Sequence, residues 1–270
     1  MIKRKEFIAI WKEVKKAIQD SFIFAHNNSL NENDFIQFLA HSEYLESLEG
    51  ANVNPYIIDY TEHRHRDAFR INHLTRYLNE AYTFEDDETA DSEDKIAREL
   101  MIYTHIWESK PFLRQLKRLA LMTNSEEYGW KVEIPDFTKH KFIRQEVREI
   151  FDSKELQIGN VIKKGYHSSL RNSFAHSEFY FDKHNSQIVL TNYKGEDWEI
   201  EKISFDEWTQ RFCYSFLLSY EFQSMFLKAR KQLQHEGEGY PVIMKDKNGK
   251  NVVGVLFYDK TKDFFRGIIK

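Results

Sequence analysis

Between residues 155 and 182 the apolar positions recur at helical spacing: Ile158, Ile162, Tyr166, Leu170 and Phe174 stand four apart, with Val161 beside them. This pattern predicts one helix over 155–176 with an apolar side that packs on a partner helix. The other side is polar. His167 and Arg171 are four apart, as are Asn172 and His176, which puts two polar pairs on neighbouring faces of the last two turns. The helix is expected to stop near Ser177. Phe179-Tyr180-Phe181 then reads as strand, and 182–186 as a turn.

The same periodicity predicts helices over 3–22 (Phe7, Ile8, Trp11, Val14, Ile18 inward), from Asp34 to the stop at Glu49-Gly50, over 64–82, and over 92–122. Pro111 is expected to kink or divide the last of these near Lys110. Gly129, Trp130 and Pro135 mark 124–136 as a loop and candidate linker. A further helix over 138–151 turns Phe142, Ile143, Val147 and Ile150 inward. Short strands are expected at 188–192 and 198–203. Ser204 and Glu207 then form a capping box for a long apolar helix over 205–233. Beyond a linker at 235–241, the runs 241–245 and 251–258 read as a β-hairpin around Asn248-Gly249. The predicted fold class is mainly α, divided into an N-terminal helical part (1–133), a core with the motif and closing helices (134–235) and a hairpin extension (236–270).

RNSFAH (Arg171 to His176), preceded by an apolar helix and followed by a short strand pair and a long closing helix, resembles the Arg-polar-x3–5-His signature of HEPN domains, a family of helical ribonuclease and nucleotide-binding modules. Ser173 and Ser177 stand where many members carry other small residues. The resemblance implies an HEPN-like helical bundle that dimerises through facing motif helices. It also implies an endoribonuclease with Arg171, Asn172 and His176 as catalytic residues, acting without metal or other cofactor. In this reading RNA is cut by its own 2′-hydroxyl, leaving 2′,3′-cyclic phosphate ends. An imidazole exchanges protons near neutral pH, and a guanidinium fork grips phosphate oxygens. A toxin or anti-phage defence role, with an antitoxin or regulatory partner, belongs to the same resemblance. Residues five apart on a helix lie about 140° apart, so Arg171 and His176 converge best in a cleft shared by two protomers. The alternatives are a catalytically inactive HEPN-like dimer that binds a nucleotide or protein, and a scaffold in which the motif only caps a helix.

Charge and composition sharpen this picture. The net charge of −4 over 270 residues is no general sign of nucleic acid, but 138–176 holds eight Lys and Arg against four acids. Arg144 and Arg148, one helical face apart by four, join His167, Lys163 and Lys164 as candidate substrate contacts. The cluster 62–67 places His63 and His65 two apart, a spacing that diverges on a helix and argues against a metal pair. Seven acids within 85–94 predict a self-repelling loop, or a phosphate mimic over a basic cleft. The single Cys213 excludes an internal disulfide, no run is long and apolar enough to span a membrane, and the charged N-terminal stretch is unlike a secretion signal. A cytoplasmic protein is expected.

Overall fold

The computed structural model describes residues 2–84, 87–89, 92–196, 198–234 and 239–269, with the side chains of 61–64 outside the description. The chain is mainly α. In order it forms α1 (Arg4–Asn28), α2 (Asp34–Leu39), β1 (Glu43–Tyr44), β2 (Tyr56–Ile57), α3 (Thr61–Ala81), α4 (Glu93–Glu108) and α5 (Lys110–Thr123). Then come α6 (Lys139–Lys141), which runs through a π-helical stretch (Phe142–Arg148) into α7 (Glu149–Ser153), followed by α8 (Gln157–Gly165) and α9 (Ser168–His176). β3 (Phe179–Asp182), β4 (Gln187–Leu190), β5 (Lys202–Ser204), α10 (Phe205–Leu233), β6 (Tyr240–Lys245), β7 (Asn251–Asp259) and β8 (Phe264–Ile269) complete it.

The capping box at Ser204 and Glu207 forms as the sequence predicts, and α10 starts on it. Its Phe212, Phe216, Leu217, Phe222 and Phe226 are buried where α1, α3, α4 and α8 pack around it. Burying each such side chain is worth about 1.5–3 kcal/mol, which makes α10 the main organiser of the core. Near its end, Arg230 donates to the Leu39 carbonyl at 2.8 Å and pairs with buried Asp59. The Asp59 carboxylate also accepts the Phe265 N–H at 2.7 Å, tying the C-terminal sheet to the helical body.

Pro111 divides the predicted 92–122 helix where expected. Ser109 accepts the Phe112 N–H and caps α5, and the proline sits in the first turn, where a missing N–H costs nothing. Several elements depart from the sequence reading. The helix from Asp34 ends at Leu39 instead of Gly50, because its residues are all buried and the chain then turns through His41 at a φ of 50°. The segment 124–136 is no linker. Its alternating Tyr128, Trp130, Val132 and Ile134 are buried, and the carbonyls of Gly129 and Val132 accept from Arg118 and Arg114 of α5.

The three strands expected after the motif form one antiparallel sheet, β3-β4-β5, and the C-terminal hairpin gains a strand to become a meander, β6-β7-β8. The predicted strand 198–203 is shorter and shifted, 202–204, and just before it the Glu201 carbonyl accepts the Leu190 N–H of β4 at 2.8 Å. In the acidic run, 85, 86, 90 and 91 lie outside the described residues. Thr89 exchanges hydrogen bonds with Ile2, and Ser92 caps α4. The side chain of His63 is likewise outside the description. No helix among the described residues is long and apolar enough to cross a membrane.

Candidate functional site

The predicted motif helix is two helices. Tyr166 and His167 are extended (ψ of 135° and 129°), and they separate α8 from α9. Two contacts from distant parts of the chain impose the break. The hydroxyl of fully buried Tyr103, on α4, accepts the His167 N–H at 2.9 Å and lies 3.3 Å from the Gly165 carbonyl, satisfying backbone groups that a continuous helix would bond internally. At the end of α8, a Cβ on Gly165 would stand 2.8 Å from Ser215 Oγ and 3.1 Å from Ser215 N, so only glycine lets α8 approach α10 this closely.

His167 becomes the N-cap of α9. Its Nδ1 accepts the Ser169 N–H at 3.3 Å, which places the ring proton on Nε2. Burial, aided by the Arg211 cation, pushes its pKa down to about 4. His167 is therefore a neutral structural cap, and the acid-base or phosphate role expected for it does not follow from its position.

On α9 itself Leu170, Ser173 and Phe174 face inward. Phe174 meets Tyr103, Trp208 and Phe179 edge to face, and Ser173 donates to Asn192 at 2.6 Å. This anchoring leaves Arg171, Asn172 and His176 on the other side. The helix closes through Ser177 at a φ of 58°, with the Glu178 N–H reaching back to the Ser173 carbonyl at 2.8 Å. His176, the last helical residue, is exposed.

Arg171 is held. Only 11 % of its side chain is exposed, and Nη1 lies 2.9 Å from Glu108 Oε1 at the end of α4. The other oxygen of Glu108 binds the ammonium of buried Lys139. Arg171 Nε and the Tyr166 hydroxyl are buried where the guanidinium meets Tyr166, and neither atom has a well-aligned hydrogen bond. Burial raises the Tyr166 phenol pKa, and the Arg171 cation opposes that rise. Next in chain, His140 is exposed and its pKa is lowered, first by partial burial and then by Lys141, Arg171 and Arg144. Glu108, Lys139, His140 and Tyr166 thus gather around Arg171. The sequence offered one sign of them, the basic Lys139-His140-Lys141 run; Glu108, sixty-three positions from Arg171, carried none.

The other candidates scatter. Arg144 lies 3.6 Å from Glu149, and Arg148 3.7 Å from Asp152. Lys164 is bound to Glu13 at 2.6 Å and to Tyr214 at 3.1 Å, joining α8 to α1 and α10. Lys163 is exposed. Glu108 and Glu13, both outside 138–176, take up Arg171, Lys139 and Lys164, so two carboxylates from elsewhere in the chain offset half of the local excess of four positive charges read from the sequence. Comparison of the chain with protein-family models, with curated proteins and with solved structures finds no match.

Proposed function

We propose that the chain is an HEPN-like, metal-independent endoribonuclease that acts as a homodimer. The observation that carries this reading is α9: a nine-residue helix whose inner face is locked by Leu170 and Phe174, so that His176 is exposed on the other side, with Asn172 partly exposed beside it and Arg171 held at its edge by Glu108. The order that follows, a small antiparallel sheet and then the long closing helix α10, agrees with the resemblance carried by Arg171 to His176.

In the proposed reaction the 2′-oxygen of a ribose attacks the adjacent phosphorus as the P–O5′ bond breaks. One His176 takes the 2′-hydroxyl proton, and a protonated His176 from the second protomer gives a proton to the leaving 5′-oxygen. The products are a 2′,3′-cyclic phosphate and a 5′-hydroxyl. Arg171 offsets the negative charge that grows on the non-bridging oxygens, and Asn172 positions the phosphate. His140, exposed and beside Arg171, extends this surface. A host defence or toxin setting, held in check by a partner protein, fits such an activity.

The test is incubation of the purified protein with a mixed RNA pool in EDTA beside its His176→Ala variant, with the product ends analysed. Cyclic-phosphate ends from the wild type alone are the expected result. A second reading is favoured by the intramolecular Arg171–Glu108 pair, which occupies the guanidinium: a dimeric binding module without turnover. Absence of cleavage by a folded dimer, with nucleotide or protein binding lost in Arg171→Ala, would establish that reading instead.

A further inference from the structure

Away from α9, a groove of about 840 Å³ opens between α3 and α4 and reaches Ser219 of α10. Its floor is apolar, made of Leu74, Ile102, Ile106 and Phe112. Phe69 and Met101 form its lips and are 72 % and 73 % exposed. Side chains of this size left open to water around a concave apolar surface mark a binding site more often than an idle face.

The charged lining is one-sided. Arg66, Arg70, Arg76 and Arg98 border the groove against a single acid among the described residues, Glu80. Asp67, on the same helix, is buried, does not line the groove, and is committed to His41 at 3.0 Å. Arg70 donates from one nitrogen to Ser109 Oγ at 2.8 Å, while its Nη1 is buried with no hydrogen-bond partner, as is Nε of Arg66 one turn away. Burial lowers the Arg70 pKa, with Asp67 opposing, and His105 nearby is lowered first by burial and then by the Arg70 cation. A buried guanidinium nitrogen left unbonded is a costly arrangement, and an anion entering the groove relieves it.

We propose that this groove binds a small amphiphilic anion, an apolar chain or ring carrying one carboxylate or phosphate, with the apolar part on the floor and the head group on Arg66 and Arg70. The volume suits a small molecule, and Arg66 and Arg70, one turn apart on α3 and each with a guanidinium nitrogen buried and unbonded, suit a single head group; an acidic partner helix would instead be met by charges spread along the rim.

The experiment titrates dodecanoate, dodecyl phosphate and neutral dodecanol into the full chain below micelle formation, by calorimetry, with an acidic amphipathic peptide in parallel. Saturable binding of both anions at one site is expected, with dodecanol weaker by about tenfold or more. Arg70→Gln should weaken the anions by about tenfold and leave dodecanol unchanged. Met101→Glu, at an exposed lip where folding is not at stake, should weaken the anions as well and decides the matter if Arg70→Gln fails to fold. Equal affinity for dodecanol and dodecyl phosphate, no saturable binding of either anion, anion binding indifferent to these substitutions, or binding of the peptide alone would each overturn the proposal.

Discussion

Arg171 and Glu108 form an ion pair of 2.9 Å within one protomer, and the same carboxylate holds Lys139. One carboxylate therefore serves two largely buried cations and leaves a net positive charge at this corner. A phosphate arriving at Arg171 must compete with Glu108, which makes Glu108 a restraint on the proposed site as well as a stabiliser of the corner between α4, α6 and α9. In Glu108→Gln the carboxamide keeps the shape and loses the charge. Stability is expected to fall by about 1–3 kcal/mol, because Lys139 and Arg171 lose their shared counter-charge. RNA binding is expected to tighten two- to fivefold, about 0.5–1 kcal/mol, as Arg171 is released. Thermal melts with filter binding check both. A loss of stability with RNA affinity unchanged would make the pair purely structural.

The neutral cap at His167 has a consequence for acid stability. Its pKa in the folded chain lies at about 4, below the ordinary value of 6.5, with burial as the main cause. Between these values the unfolded state binds the proton and the folded state does not, so stability rises with pH across this window and is lost as pH falls from 6.5 towards 4. The full loss is roughly 3 kcal/mol. His140 and His105, also lowered, act in the same direction. Urea unfolding at pH 7, 5.5 and 4.5 should show a shallower pH slope in His167→Asn, which keeps an N-cap acceptor without a titrating ring.

How far the fold was legible depended on whether the deciding contact was local. Ser204 and Glu207 are three residues apart, and Pro111 acts on its own turn, so α10 and the division of α4 from α5 could be read directly. The break at Tyr166 and His167 could not. It is made by Tyr103 from sixty-four positions away and by the backbone of Ser215, while the Ile158-to-Phe174 spacing continues through it undisturbed. Gly129 and Pro135 disguised the alternation of Tyr128, Trp130, Val132 and Ile134 as a linker. Of the two four-residue pairs, Asn172 and His176 keep their spacing because both lie within α9, whereas His167 and Arg171 are parted by the break, and Arg171 is turned onto Glu108 with little of its side chain exposed. The partners of Arg171 come from α4 and α6, and no sequence spacing points to them.

The close approach of α8 to α10 yields a prediction about packing. Gly165→Ala places a methyl against both Ser215 Oγ and Ser215 N, and the backbone atom cannot rotate away. Destabilisation of about 1–3 kcal/mol is expected. Removing only the hydroxyl, in Gly165→Ala with Ser215→Ala, should recover a minor part, since the contact with the backbone nitrogen at 3.1 Å persists. Full recovery in the double variant, measured by denaturant midpoints, would mean that the side chain alone sets the distance.

Ser177 ends α9 in the left-handed region that glycine occupies at little cost. Ser177→Gly is expected to stabilise the chain by about 0.5–1 kcal/mol by relieving that strain, partly offset by a more flexible unfolded state. It should leave Arg171 and His176 where they are. A lower melting temperature would show that the Ser177 side chain contributes more than its strained backbone costs.

The composite cleft is tested by mixing variants that are each inactive. Arg171→Ala lacks the cation, and His176→Ala lacks the acid-base group. After subunit exchange, about half of the dimers carry one of each when mixing is random. In such a dimer no protomer holds both Arg171 and His176, yet the pair is present once across the interface. Each heterodimer keeps one of the two His176 rings, so water must handle the second proton. If Arg171 and His176 act in trans, mixing still restores a small part of the cleavage that neither variant shows alone, and the restored activity grows with the heterodimer fraction measured by native mass spectrometry. If both groups must come from the same α9, heterodimers form and the mixture stays inactive. Recovery would also require that α9 faces its copy across the dimer axis, so a cross-link between Ala175→Cys residues of two protomers should form in the dimer and be absent from the monomer.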